Sequence, residues 1–175
     1  MTPHETDLID RILAQWGHER PDLDTAPMGL MGRLFRATHL ADEALVEGLS
    51  EYHLQRGWFD LLAALRRAGE PYELNPTELM QTVMLSSGGM TKRLDRMAEA
   101  GLVERRPDPS DRRGTRVRLT RRGRDLIDRA VTTHIANEDR LLGALTPEER
   151  RMLDRLLRKL LRALEHHRAR DMAAE

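Results

Sequence analysis

The sequence predicts a mainly α protein with one small β-hairpin, an α+β arrangement in which the β part is minor, and three observations carry that expectation. Apolar residues recur at spacings of three and four through most of the 175 residues. The period changes to two only at Leu102–Arg106 and Thr115–Leu119. Between those runs, Pro107-Asp108-Pro109-Ser110-Asp111-Arg112-Arg113-Gly114 is turn chemistry with a basic tip.

The elements follow in order. Leu8, Ile9, Ile12, Leu13 and Trp16 share one face of a short helix that should end by Gly17. Arg20 to Pro27 reads as a linker bounded by prolines. From Met28 a long amphipathic helix carries Met31, Leu34, Phe35, Thr38, Ala41, Leu45 and Leu49 on one face. A further helix runs from about Leu54 to Ala68, closed by Gly69 and Pro71. Asn75-Pro76-Thr77-Glu78 is a capping box with proline where its missing N–H does no harm, and it starts a short helix to about Met84. Ser86-Ser87-Gly88-Gly89 breaks that helix, and Ser87 can cap the next one, through Ala100 to a stop at Gly101. After the hairpin, helices are expected over about Thr120–Leu142 and Pro147–Arg168, the second opened by the capping box Thr146-Pro147-Glu148-Glu149.

Composition narrows the function. With 39% hydrophobic and 33% charged residues the chain reads as a water-soluble domain with helical extensions. No cysteine is present, which excludes disulfides, zinc fingers and thiol catalysis. No apolar run nears the roughly 18 residues of a membrane span, and Met1–Asp10 lacks the basic start of a secretory signal, so a cytoplasmic location is expected. His134 with Glu138 and the pair His166-His167 lack a third ligand, so no metal is expected. No nucleophile motif or phosphate-binding glycine loop occurs, which argues against an enzyme and against a cofactor. The net charge is zero, yet Ser86–Arg124 holds twelve Lys/Arg against five Asp/Glu while Met1–Leu30 holds six acids against two arginines.

Two short helices joined by a Ser/Gly turn and followed by a basic hairpin form a winged helix-turn-helix pattern, which points to duplex DNA. Ser86, Ser87, Thr91, Lys92 and Arg96, at and after the start of the second helix, offer donors to base edges and phosphates. Arg112 and Arg113 at the hairpin tip suit a narrow minor groove, and Arg116 lies on the polar side of the second strand.

Glu78-Leu79, Ser87-Gly88-Gly89-Met90-Thr91-Lys92-Arg93-Leu94-Asp95-Arg96, Gly101-Leu102-Val103-Glu104-Arg105, Asp108-Pro109-Ser110-Asp111-Arg112-Arg113-Gly114 and Val117-Arg118-Leu119-Thr120 with Gly123 together resemble the MarR family. The resemblance covers roughly Met28 to Arg168. It implies a homodimer with intertwined chain ends, a regulator that usually represses until a small ligand binds, and a bracing role for Asp111 beside its neighbouring arginine.

The N-terminal helix with its tryptophan, followed by Arg-Pro-Asp-Leu-Asp, resembles the urate-responsive branch of that family. That resemblance implies a ligand set of Trp16, Asp60, Arg67 and Arg93. The residues give a physical reading of their own. Asp60 and Arg67 are seven apart on one helix, with Ala63 and Ala64 leaving room for a planar acidic heterocycle and Trp16 as a stacking plate. An i,i+7 surface pair with a core-anchoring tryptophan is the other reading of the same residues.

Leu153, Leu156, Leu157, Leu160, Leu161 and Leu164 form a stripe on the last helix that suits a dimer interface, and a two-fold axis implies a pseudo-palindromic operator with half-sites about 10 bp apart. The expected organisation is residues 1–53 for ligand binding and dimerisation, 54–120 for DNA binding and 121–175 for dimerisation. The alternatives are the same DNA-binding role with a phenolic or nucleotide effector, or a helical protein-interaction adaptor that does not touch DNA.

Overall fold

A computed structural model describes residues 6–83, 89–109, 111 and 114–173. The chain divides into two compact units, Met1–His134 and Ile135–Glu175. Among the described residues no helix is long and apolar enough to cross a membrane.

The first unit begins with α1 (Leu8–Glu19). Asp7 caps it by accepting from the Asp10 N–H at 2.8 Å, while the Asp10 carboxylate accepts from the Asp7 N–H at 3.0 Å. The helix passes through Gly17 rather than ending there, and it closes at Arg20, whose N–H donates to the Trp16 carbonyl at 2.7 Å. Next comes α2 (Ala26–Gly48), so Ala26 and Pro27 belong to a first helical turn and not to a linker; proline is tolerated there because that turn's N–H groups lack helical partners anyway. Arg33 on α2 pairs with Asp7 at 2.8 Å and with Asp10, holding α1 against α2. The Asp10 N–H first, and Arg33 second, hold the Asp7 carboxyl below its ordinary range.

A 3-10 turn (Ser50–Tyr52) and a left-handed His53 lead into α3 (Arg56–Arg67), which starts two residues later than its apolar pattern suggests. Leu54, just ahead of it, is nevertheless buried. β1 (Glu73–Leu74) has no counterpart in the sequence pattern. Two residues are too few to display a period, and the strand exists because Glu73 and Leu74 pair with Arg118 and Val117 far along the chain. In α4 (Pro76–Thr82) the Asn75 box forms in full, with Asn75 accepting from the Glu78 N–H at 2.9 Å and Glu78 accepting from the Asn75 N–H at 2.8 Å. The expected cap Ser87, and Met84, lie outside the described residues. α5 (Met90–Glu99) is entered through Gly89 at φ +82°, a left-handed backbone that glycine adopts without steric cost.

β2 (Val103–Pro107) and β3 (Thr115–Leu119) form the expected hairpin, with β3 central in an antiparallel sheet ordered β1-β3-β2. Val117 and Leu119 point into the core, as the alternation predicts. α6 (Arg121–Leu141) follows. Leu61, Leu62 and Leu65 of α3, Leu79 of α4, Leu94 and Met97 of α5, Val117 of β3 and Ile127 of α6 are fully buried together. Each such side chain contributes roughly 1.5–3 kcal/mol of transfer free energy, so this cluster is what binds the helix-turn-helix to the sheet.

In the second unit, α7 (Pro147–Met172) starts on Thr146 and runs four residues past the expected end. Arg150 closes the preceding turn by donating to the Leu142 and Leu145 carbonyls at 3.1 and 3.2 Å. No residue of α7 is buried.

Candidate nucleic-acid interface

The burial of α5 shows why its residues divide as they do. Met90, Leu94 and Met97, at i, i+4 and i+7, are buried. Thr91, Lys92 and Arg96 therefore fall on the exposed side, and neither cation has an ion-pair partner among the described residues. Ser86 and Ser87, which would precede them, lie outside the described residues, as do Arg112 and Arg113.

The hairpin is tied to that helix by a pair that sequence spacing does not reveal. Arg105 of β2 donates to the Asp95 carboxylate of α5 at 2.6 Å. At the base of the wing, Asp108 is 8% exposed and its carboxylate lies 3.0 Å from Arg116 Nε, with Glu73 of β1 at 4.0 Å from the same nitrogen. Arg116 is thus anchored between two carboxylates, which suits positioning of the wing more than reaching DNA. Asp111 uses its carbonyl to accept from the Gly114 N–H at 2.8 Å, closing the loop toward β3.

The positive run is consequently not one uniform DNA-facing surface. Arg106 pairs with Glu104 at 2.8 Å, Arg118 donates to the Pro71 carbonyl at 3.0 Å, Arg121 reaches Asp125 at 4.0 Å and Arg124 stacks over Tyr72 at 5.5 Å. Among the described residues of α5, Lys92 and Arg96 remain free for phosphate or base edges.

α6 is seated against the turn after α5 by one close approach. Thr120 Oγ1 donates toward the Gly101 carbonyl at 2.8 Å and accepts from the Gly123 N–H at 3.0 Å, capping α6 against the turn that ends α5. A Cβ on Gly123 would lie 2.0 Å from the Leu102 carbonyl oxygen, so only glycine lets α6 sit there.

The four proposed ligand residues divide differently. Arg93 is half-buried and its guanidinium lies over Gly57 of α3, where a Cβ would stand 3.0 Å from Cζ. Arg93 Nη1 is buried with no hydrogen-bond partner. Asp60, one turn further along α3 from Gly57, is half-buried, and burial pushes its carboxyl above the ordinary range against the pull of Arg56, His134 and Arg67. Arg56 Nε is 3.5 Å from it. Arg67 is held by a 3.2 Å donation to the Thr82 carbonyl. Ala63 and Ala64 do not leave a groove between Asp60 and Arg67; both are buried in the core because that flank of α3 faces the rest of the unit. Trp16 is 40% exposed on α1, and no ring, hydrogen-bond or ion-pair contact among the described residues joins it to the other three. Nor do the described residues contain a group of three that could hold a metal ion; the His134 ring packs on Phe59 at 4.4 Å.

The regulator PecS of Dickeya dadantii is 39% identical over 91% of this chain and 96% of its own length. The chain belongs to the MarR family. The MarR family profile itself matches residues 53–114, from the turn before α3 to the end of the wing loop. A MarR variant from E. coli, solved in complex with operator DNA, is 29% identical with a TM-score of 0.67, covering 83% of this chain and 97% of that one. BpsR of Bordetella bronchiseptica, solved in a study of how 6-hydroxynicotinic acid regulates its DNA binding, is 25% identical with a TM-score of 0.67, covering 79% and 95%. As a MarR-family member the protein is a DNA-binding transcriptional regulator and not an enzyme.

Proposed function

We propose that this MarR-family regulator is a homodimeric repressor that holds a pseudo-palindromic operator and is released by a planar, purine-like anion such as urate. Residues 54–120 would read the DNA, and the flanking segments 1–53 and 121–175 would supply dimer contacts and part of the ligand site. Ser86, Ser87, Thr91, Lys92 and Arg96 would face the major groove, with Arg112 and Arg113 in the minor groove.

The observation that carries the effector reading is Arg93. Its Nη1 is a buried donor with no acceptor, which costs about 1–3 kcal/mol. A ligand oxygen placed there would recover that cost. Arg93 also belongs to the recognition helix, so a ligand drawn to it bears on the DNA-reading element directly. Asp60 and Arg67 would complete the polar lining and Trp16 would stack on the ring. Only a ligand that binds the DNA-free arrangement better can release the operator, and a tenfold effect needs about 1.4 kcal/mol of differential affinity.

The test is a gel-shift titration of the protein on the DNA upstream of its own gene, with urate, xanthine and simple phenolic acids added in turn. Urate should release the DNA, and Arg93→Ala should bind DNA but ignore urate. If none of these compounds releases the DNA, the effector reading fails while DNA binding stands. A phenolic or aromatic acid effector is the second reading, supported by the relation to BpsR, whose DNA binding is regulated by such an acid.

A further inference from the structure

We propose that Lys92 is a modification site, at which an acyl phosphate cancels the charge and with it the hold of α5 on DNA. The chain carries 29 Lys and Arg, and only two of them, Lys92 and Lys159, are lysines. The difference is chemical. A guanidinium stays protonated in neutral water and does not take up an acyl group, whereas an ε-amine does and is left neutral. Within residues 54–120 Lys92 is the one lysine, so it is the one side-chain charge there that acylation can remove.

The fold puts this amine where it can react and where its charge counts. At about 100° per residue, Lys92 stands roughly 200° round α5 from Met90. That is the side opposite the buried Met90, Leu94 and Met97, with Arg96 beside it one turn on. Lys92 is exposed. The carboxylate best spaced to pair with it on the same helix is Asp95, three residues on. Asp95 is instead held by Arg105 of β2 at 2.6 Å. No ion pair to Lys92 occurs among the described residues, which leaves its ammonium to phosphates when DNA is bound and to solvent when it is not. The brace between wing and helix thus also keeps the amine open.

The step needs no redox partner. The neutral Nζ attacks the acyl carbonyl carbon, a C–N bond forms and the C–O bond to phosphate breaks. Phosphate leaves with the electron pair, and the amine's proton passes to water. The product is an uncharged amide, so each subunit of the proposed homodimer loses one cation from its reading face. Bound DNA covers the same amine, so the reaction reaches free protein and spares protein already on its operator. The inference rests on the reading that Lys92 faces DNA, and it is independent of the effector.

The experiment uses the full chain with Lys159→Arg, which leaves Lys92 as the one lysine. It is incubated with acetyl phosphate, and the modified position is located by peptide mass spectrometry. Affinity for the DNA upstream of its own gene is then measured by gel shift over a range of salt. Acetylation of Lys92 is expected, with binding at least about tenfold weaker and a salt slope shallower by about two, one for each lost phosphate contact. DNA added before acetyl phosphate should prevent the modification. Lys92→Arg/Lys159→Arg should bind equally before and after treatment, which excludes the α-amine as the cause. Lys92→Gln in the untreated chain tests the DNA contact by itself. If it binds as the native chain does, the placing of Lys92 on DNA fails and the proposal falls with it. If Lys92→Gln weakens binding, that contact stands, and the proposal alone is overturned by any of four results: Lys92 left unmodified, acetylated protein that binds as before, a treated double variant that loses affinity, or acetylation that proceeds equally with DNA bound.

Discussion

Glycine positions give the sharpest contrast at the scale of single residues. At Gly123 an added methyl would meet the Leu102 carbonyl oxygen at 2.0 Å, and backbone cannot swing aside as a flexible side chain can. Gly123→Ala should destabilise the fold by about 2–3 kcal/mol, the cost of overpacking a closed site, read as a lower urea midpoint. Gly17 meets nothing within 4 Å on exposed α1, so Gly17→Ala should leave the fold intact or stabilise it by up to about 1 kcal/mol. Equal effects at both sites would contradict the helix–sheet approach described here. Asp60 makes a pH prediction with a definite sign. Burial raises its folded-state pKa above the unfolded value, so protonation favours the fold and stability from this group is lost as pH rises through the folded pKa. Asp60→Asn, which mimics the protonated form, should therefore match or exceed the native chain in melting temperature at neutral pH, and the difference should close as pH falls through the carboxylate range. A native chain that is the more stable at neutral pH and gives up that lead in acid would reverse the assignment.

At the scale of elements, Arg105 of β2 joins the wing to α5 through Asp95. Both side chains are partly exposed, so the pair is worth at most about 1 kcal/mol of stability. Its value is orientation. Asp95→Ala should leave the melting temperature nearly unchanged yet weaken operator affinity several-fold, and unaltered binding in a gel shift would show that the wing holds its angle without this brace. The tip is a separate matter. Changing Arg112 and Arg113 together to alanine should reduce the salt slope of DNA binding by roughly one or two, about one for each phosphate no longer neutralised. A slope equal to that of the native chain would place those arginines away from the backbone.

At the scale of the whole molecule, apolar surface is left uncovered in each unit. Leu30 and Phe35 on α2 are 70% and 65% exposed, and on α7 Leu156, Leu161 and Leu164 are each more than half exposed. Exposed apolar residues in a continuous stripe mark a surface made for another protein, and the homodimer proposed above would cover it. Leu157→Glu with Leu161→Glu places charges on that stripe. In a monomer such changes would be nearly neutral; in a dimer they bury unpaired charge. The expected outcome by sedimentation is loss of the dimer together with loss of operator binding. A variant that sediments as the native protein does and still binds DNA would refute the assignment of α7.

Much of this protein is determined by interactions within a few residues of chain, and those are legible in the sequence. The boxes at Asn75–Glu78 and Thr146–Glu149 start their helices through bonds three residues apart, and the change of period at Val117 and Leu119 marks the hairpin because alternation is a local property of strands. What the tertiary structure decided are pairings between distant segments. β1 exists only through Arg118 and Val117, and Arg116 is committed to Asp108 rather than left with the rest of the positive run. Arg93 lies over Gly57, Ala63 and Ala64 turn inward, and Trp58 lines one cavity with Arg122 and Arg129. None of these follows from periodicity, because a repeat says which side of a helix is apolar but not which neighbour arrives to cover it.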